Sequence, residues 1–83
     1  MSVKVLYFAS LRDALDCGEE SVELNGAATL GELRTQLAAR GERWAALAST
    51  KNLRMARNQR MAPADTAVAD GDEIAFFPPV TGG

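Results

Sequence analysis

The 83-residue chain contains no histidine and a single cysteine, Cys17. Without histidine, a Ser-His-Asp triad, a Cys-His pair and a histidine metal site cannot be assembled. One cysteine excludes an internal disulfide, a Cys-x-x-Cys metal or redox pair, and the four-cysteine cluster site of a ferredoxin. Neither Gly-x-Gly-x-x-Gly nor a P-loop pattern occurs, so the chain is not expected to bind or spend nucleotide itself. Aromatic residues are 6% of the chain and its pI is about 5.0, a poor match to nucleic acid. No apolar run approaches the length of a membrane span. The opening "MSVKVLYFASLRD" meets Arg12 and Asp13 too early for a leader, so the expected compartment is the cytoplasm. Together these absences argue against an independent enzyme and against a metal or cofactor of its own.

What is present is the composition of one soluble globular domain, 47% hydrophobic and 24% charged. Charge is unevenly spread. Between Arg34 and Arg60 lie seven of the nine basic residues and one acid, Glu42, a local charge of +6 against −8 elsewhere. That asymmetry suits either an acidic partner surface or phosphate-bearing ligand, or simply a solvated face of dispersed arginines.

Val3 to Phe8 is expected to form a strand, with Val3, Val5 and Tyr7 on one face and Lys4, Leu6 and Phe8 on the other. A short helix follows, capped by Ser10, striped by Leu11, Ala14 and Leu15, and stopped at Gly18. Cys17, among Asp16, Glu19 and Glu20, reads as an inert thiol. Ser21 to Leu24 is a second strand closed by Asn25-Gly26. "TLGE", Thr29 to Glu32, fits a capping box that opens a helix carrying Leu30, Leu33 and Leu37 and ending at Gly41. "WAALA" from Trp44 adds one helical turn, its indole at the rim of the core or at an interface. Leu53 to Arg57, an Asn58-Gln59 turn, Met61, a "DGDE" turn and a last strand from Ile74 to Phe77 complete an α+β sheet with a helix across one face. The acids of "DGDE" lack the ligand spacing of a calcium loop.

The segment "FFPPVTGG", Phe76 to Gly83, needs a separate explanation. Pro78 and Pro79 cannot donate to a ladder and hold the backbone extended, so pairing ends there. Val80 and Thr81 favour extension, and Gly82 and Gly83 fit a channel too narrow for a Cβ. Six extended residues reach ~20 Å and deliver a terminal carboxylate. The expected organisation is therefore a domain over residues 1–77 and a flexible extended tail over 78–83.

"DGDEIAFFPPVTGG", with "VKVLYFASLRD", "TLGELRTQL" and Asn58-Gln59 in the same order, resembles the molybdopterin synthase small subunits, the MoaD family of sulfur carriers. Arg57 departs from the resemblance, standing where an apolar residue would precede Asn-Gln. The likeness implies a ubiquitin-like β-grasp fold, a mixed sheet packed on one main helix with an extended Gly-Gly tail. It implies that an E1-like adenylating enzyme uses ATP to activate Gly83. A persulfide sulfur donor then converts it to a thiocarboxylate (1-thioglycine), and the large catalytic subunit of the synthase accepts Pro78, Pro79, Val80, Thr81, Gly82 and Gly83 into its active site. There the sulfur passes to cyclic pyranopterin monophosphate in molybdenum cofactor biosynthesis, within a heterotetramer. Phe77, Met61 and Phe8 are the expected partner-binding residues; Phe77 would otherwise fold under the tail as core. The alternatives are a thiamine-type sulfur carrier, a ubiquitin-like protein modifier, and an interaction module with an inert tail.

Overall fold

The computed structural model describes residues 1–79. Five strands form one mixed sheet: β1 (Ser2–Tyr7), β2 (Glu19–Glu23), β3 (Arg54–Arg57), β4 (Arg60–Met61) and β5 (Glu73–Phe77), in spatial order β2-β1-β5-β3-β4. The two strands most distant in sequence, β1 and β5, lie side by side and parallel, with Val5 opposite Ile74 and Tyr7 opposite Phe76. The other pairings are antiparallel. Helices α1 (Ala9–Leu15), α2 (Leu30–Ala38) and α3 (Ala46–Ser49), the last preceded by a tight turn at Arg43–Ala45, supply the second layer.

Strict alternation in β1 and β5 divides the sheet. Val3, Val5, Tyr7, Ile74 and Phe76 are buried, together with Met55 and Val22, under Leu30, Leu33 and Leu37 of α2. Leu11 and Leu15 of α1 and Leu47 of α3 close the ends of this core. Each buried leucine is worth about 2–5 kcal/mol against alanine, which makes the α2 stripe the main tie between layers.

Thr29 caps α2, its hydroxyl accepting from the Glu32 amide at 3.2 Å. The reciprocal arm of the box is displaced by one residue: Glu32 Oε1 accepts from the Ala28 amide at 3.0 Å rather than from that of Thr29. Helix α2 stops at Ala38, before Gly41. Asn25 and Gly26 both take positive φ, as do Asn58 and Gln59. The second pair makes the two-residue hairpin turn between β3 and β4, matching its twist to the strands.

Helix α1 departs from the expectation. It begins at Ala9, and the residue in the capping position is Phe8, whose carbonyl accepts from the Leu11 and Arg12 amides. Ser10 lies inside the helix and does not cap it; the turn to helical geometry comes one residue earlier, at Ala9 with φ 53°. Asp16 in the left-handed conformation, rather than Gly18, ends the helix, and Ala14 is exposed beside the buried Leu11 and Leu15.

Arg57 does not disturb β3. Its guanidinium donates from Nε to Asp72 Oδ2 at 2.7 Å, while Asn58 Nδ2 and the Ala69 amide donate to the same carboxylate at 3.1 and 2.8 Å. Asn58 Oδ1 accepts in turn from the Glu73 amide. The "DGDE" loop is thus anchored to the β3–β4 hairpin just where β5 begins. Burial of Asp72, 8% exposed, raises the cost of its charge, but donors from Arg57, Asn58 and Ala69 outweigh it and hold the carboxyl below its ordinary 3.8.

This arrangement sets a pH dependence. Because the folded value is depressed, the stabilisation is complete above the ordinary carboxylate value and is lost as pH falls through the folded one. Asp72→Asn is expected to lower stability by about 1–3 kcal/mol at neutral pH. Urea midpoints measured at a series of pH values should show the gap to the unaltered protein closing below about pH 4.

Candidate functional site

The sheet face turned away from the helices is where the expected partner-binding residues meet. Register places Leu6, Ala75, Ala56 and Met61 in one row across β1, β5, β3 and β4. At ~4.8 Å per strand this row runs about 14 Å. One step nearer the end of β5 lie Phe8, Phe77 and Arg54, with Phe77 opposite Arg54 in register. Phe8 is 46% exposed and Met61 57%, while Phe77 is half-buried. The rings of Phe8 and Phe77 meet edge to face, centroids 6.3 Å apart. Phe77 therefore does not join the helix-side core of Ile74 and Phe76. It belongs to a continuous apolar surface at one end of the outer face, of the kind that marks an interaction site.

That end is where β5 gives way to the prolines. Pro78 and Pro79 are half-buried and carry no ladder pairing. Pro79 lines a cleft of about 430 Å³ with Leu53 and Arg54 at the start of β3 and Met61, Ala62 and Pro63 across from them. Val80, Thr81, Gly82 and Gly83, the rest of the expected tail, lie outside the described residues.

Among the described residues, the groups with displaced pKa values are displaced toward unreactive forms. Burial, aided by Glu20, pushes the Cys17 thiol up, and the opposing effect of Arg40 does not reverse it; Sγ donates weakly to the Glu19 carbonyl at 3.5 Å. Little thiolate exists at neutral pH. Tyr7 is driven far above its ordinary value by burial and by its 2.8 Å hydrogen bond to Glu20 Oε2. Glu20 is held by Arg40 Nη1 at 2.8 and 2.9 Å, and the Arg40 guanidinium lies 4.7 Å over Trp44. Trp44 packs its ring against Tyr7 at 5.6 Å, closing the core rim. These groups seal one end of the domain. None is arranged to transfer protons.

The basic segment is also largely consumed by structure. Arg34 donates to the Leu47 and Thr50 carbonyls, Arg40 pairs with Glu20, Arg43 reaches Asp16 at 4.0 Å and Arg57 pairs with Asp72. Lys51, Arg54 and Arg60 are exposed and make no ion pair among the described residues. Sequence reasoning missed Arg54, although counting back from the Asn58-Gln59 turn with the strand period would have put it on the outer face.

A mixed five-stranded sheet with its terminal strands parallel at the centre and one main helix across it is the ubiquitin-like β-grasp. Solved structures agree: SAMP1 from Haloferax volcanii matches with a TM-score of 0.80 at 30% identity, covering 100% of both chains. The putative molybdopterin converting factor subunit 1 from Pyrococcus furiosus matches at 0.81 and 28%, covering 96% of this chain and 99% of that one. One chain of the complex of subunits 1 and 2 of the molybdopterin-converting factor from Helicobacter pylori matches at 0.68 and 27%, covering 100% of this chain and 100% of that one. The chain belongs to the ThiS family, which matches residues 5–83. It is 43% identical to the molybdopterin synthase sulfur carrier subunit of Haemophilus influenzae and 42% identical to that of Escherichia coli, in each case over 98% of this chain and 99% of the relative.

The two faces of β5 should respond differently to truncation. Phe76→Ala is expected to cost about 3–5 kcal/mol as a core deletion. Phe77→Ser, losing part of a half-exposed ring and its contact with Phe8, should cost about 1 kcal/mol. Urea unfolding of the two variants measures the contrast.

Proposed function

We propose that the chain is the sulfur-carrier subunit of a molybdopterin synthase, not catalytic alone, whose working atom is the carboxylate carbon of Gly83. The observation that carries this reading is the likeness to sulfur carrier subunits at 42–43% identity over nearly the whole chain. The pairing of β5 at the sheet centre supports it, because a rigid strand leads directly into Pro78 and Pro79 beside an exposed apolar face. A carboxylate resists attack by sulfur until one oxygen becomes part of a leaving group. An E1-like enzyme supplies it: a Gly83 carboxylate oxygen attacks the α-phosphate of ATP, giving the acyl-adenylate and releasing pyrophosphate. The terminal sulfur of a persulfide then attacks the carbonyl carbon and expels AMP. Cleavage of the resulting S–S bond by a thiol leaves the thiocarboxylate.

Residues 78–83 act as the tail that enters partner active sites. Docking of the large catalytic subunit on Phe8, Phe77 and Met61 aims that tail at cyclic pyranopterin monophosphate, and two carriers with two large subunits make the working assembly. The side-chain chemistry belongs to the partners. This chain supplies position and sulfur, and its own reactive groups stay silent.

One residue added after Gly83 displaces the reacting carbon by ~3 Å and should reduce synthase turnover at least ~100-fold without altering the melting temperature. Full turnover of the extended protein, reconstituted with the large subunit and activating enzyme, would refute the terminal-carboxylate reading. Cys17→Ser, tested in the same reconstitution, should turn over like the unaltered protein. A loss of sulfur transfer with adenylation intact would put Cys17 in the relay. The likeness to SAMP1 at 30% identity favours a second reading, a protein modifier. Intact mass of the protein from its host separates the two, sulfur in place of one oxygen for the carrier and isopeptide-linked conjugates for the modifier.

A further inference from the structure

The apolar end of the outer face explains adhesion but not aim. Apolar contact is non-directional, whereas tail delivery needs the domain seated in one orientation. Charge on that face is the feature that breaks its symmetry. Toward β2, Lys4 and Glu19 neutralise each other at 3.1 Å. Glu23 sits at the far end of the face, beside the chain's own amino group. Glu73 begins β5 at that same far end, about 13 Å along the strand from Phe77. In the row level with Phe77, Arg54 is the one charged residue among the described residues, exposed and without an ion pair. Together with Pro79 it also lines the cleft beside the end of β5.

We propose that Arg54 orients partners on this face: the protein that covers Phe8, Phe77 and Met61 carries a carboxylate at the margin of its apolar site, opposite Arg54. This rests on the carrier reading above and adds to it the chemistry of the recognised surface. An apolar centre with a single cationic flank accepts a partner in one sense only. Rotating the partner by half a turn would leave its carboxylate over apolar surface and Arg54 unpaired, which is the penalty that gives specificity. Arg60 is the internal comparison. It has the same charge and similar exposure, but it pairs across the hairpin with Arg57, whose side chain turns to Asp72, so it stands on the opposite face from Met61.

The test is calorimetric titration of the large synthase subunit from the same organism with the unaltered protein, Arg54→Glu, Arg54→Ala, Arg54→Lys and Arg60→Glu, at low and high salt. Arg54→Glu should weaken binding at least about tenfold at low salt, Arg54→Ala less, and the differences should shrink at high salt. Arg54→Lys should retain most of the affinity, and Arg60→Glu should bind like the unaltered protein. Equal affinity for Arg54→Glu and the unaltered protein overturns the proposal while leaving the carrier reading in place. Equal weakening by Arg60→Glu also overturns it, since net charge alone would then be at work. If the unaltered protein does not bind the large subunit, the carrier reading and the role of Arg54 fall together.

Discussion

The parallel pairing of β1 with β5 is the constraint on which the rest of the molecule depends. It joins the strands most distant in sequence at the centre of the sheet, so every other element lies in the chain between its two members. Its register puts Tyr7 and Phe76 together on the core side, and by the same alternation it brings Phe8 and Phe77 together outside. A slip of one residue would exchange the two sets, burying the exposed aromatic pair and exposing the core. Core and exposed apolar face are therefore two readings of one hydrogen-bonded register. Asp72 guards that register from the entry side, tying the start of β5 to Arg57 and Asn58.

Much of this was legible in the residues. Alternation in Val3 to Phe8 assigned both faces of β1 correctly, because the strand is half-buried and the period of two is unambiguous, whereas Phe77 stayed open between core and interface. The leucine spacing and Thr29 located α2, since capping and periodicity agreed. Asn58-Gln59 located the hairpin. Helix α1 was misplaced because the residue at its cap is an aromatic. Phe8 sits where serine would be the better cap, and the ring it presents belongs to the exposed patch. A local rule fails there because the position answers to another demand. Arg57 looked like an intrusion for a different reason: its partner, Asp72, lies across a loop, and no periodicity links the two. The tail expected from the prolines and glycines falls mostly on Val80 to Gly83, which lie outside the described residues.

The electrostatics of the domain follow a division of labour. Arginines that face the helix layer or the loops are spent on carbonyls and carboxylates within the chain, and they hold α3, the core rim and the β5 entry. The basic segment that stands out in the sequence is thus mostly scaffold, and its one contribution to the outer face is Arg54. The titratable groups with perturbed environments, Tyr7, Cys17 and Asp72, are locked rather than activated. A protein that carries a reactive group for others gains from having no competing nucleophile or acid of its own nearby.

The central position of β5 also bears on the order of synthesis. β5 is the last of the described elements in chain order, yet the sheet cannot be completed without it, because β1 and β3 each pair with it and not with each other. An emerging chain that lacks β5 holds two separate strand pairs and an uncovered helix stripe. Such a chain has no apolar outer face of the finished shape and no anchored exit beside it. The apolar outer face is accordingly a property of the completed sheet alone. The cost is kinetic, since long-range parallel pairing is slow to form.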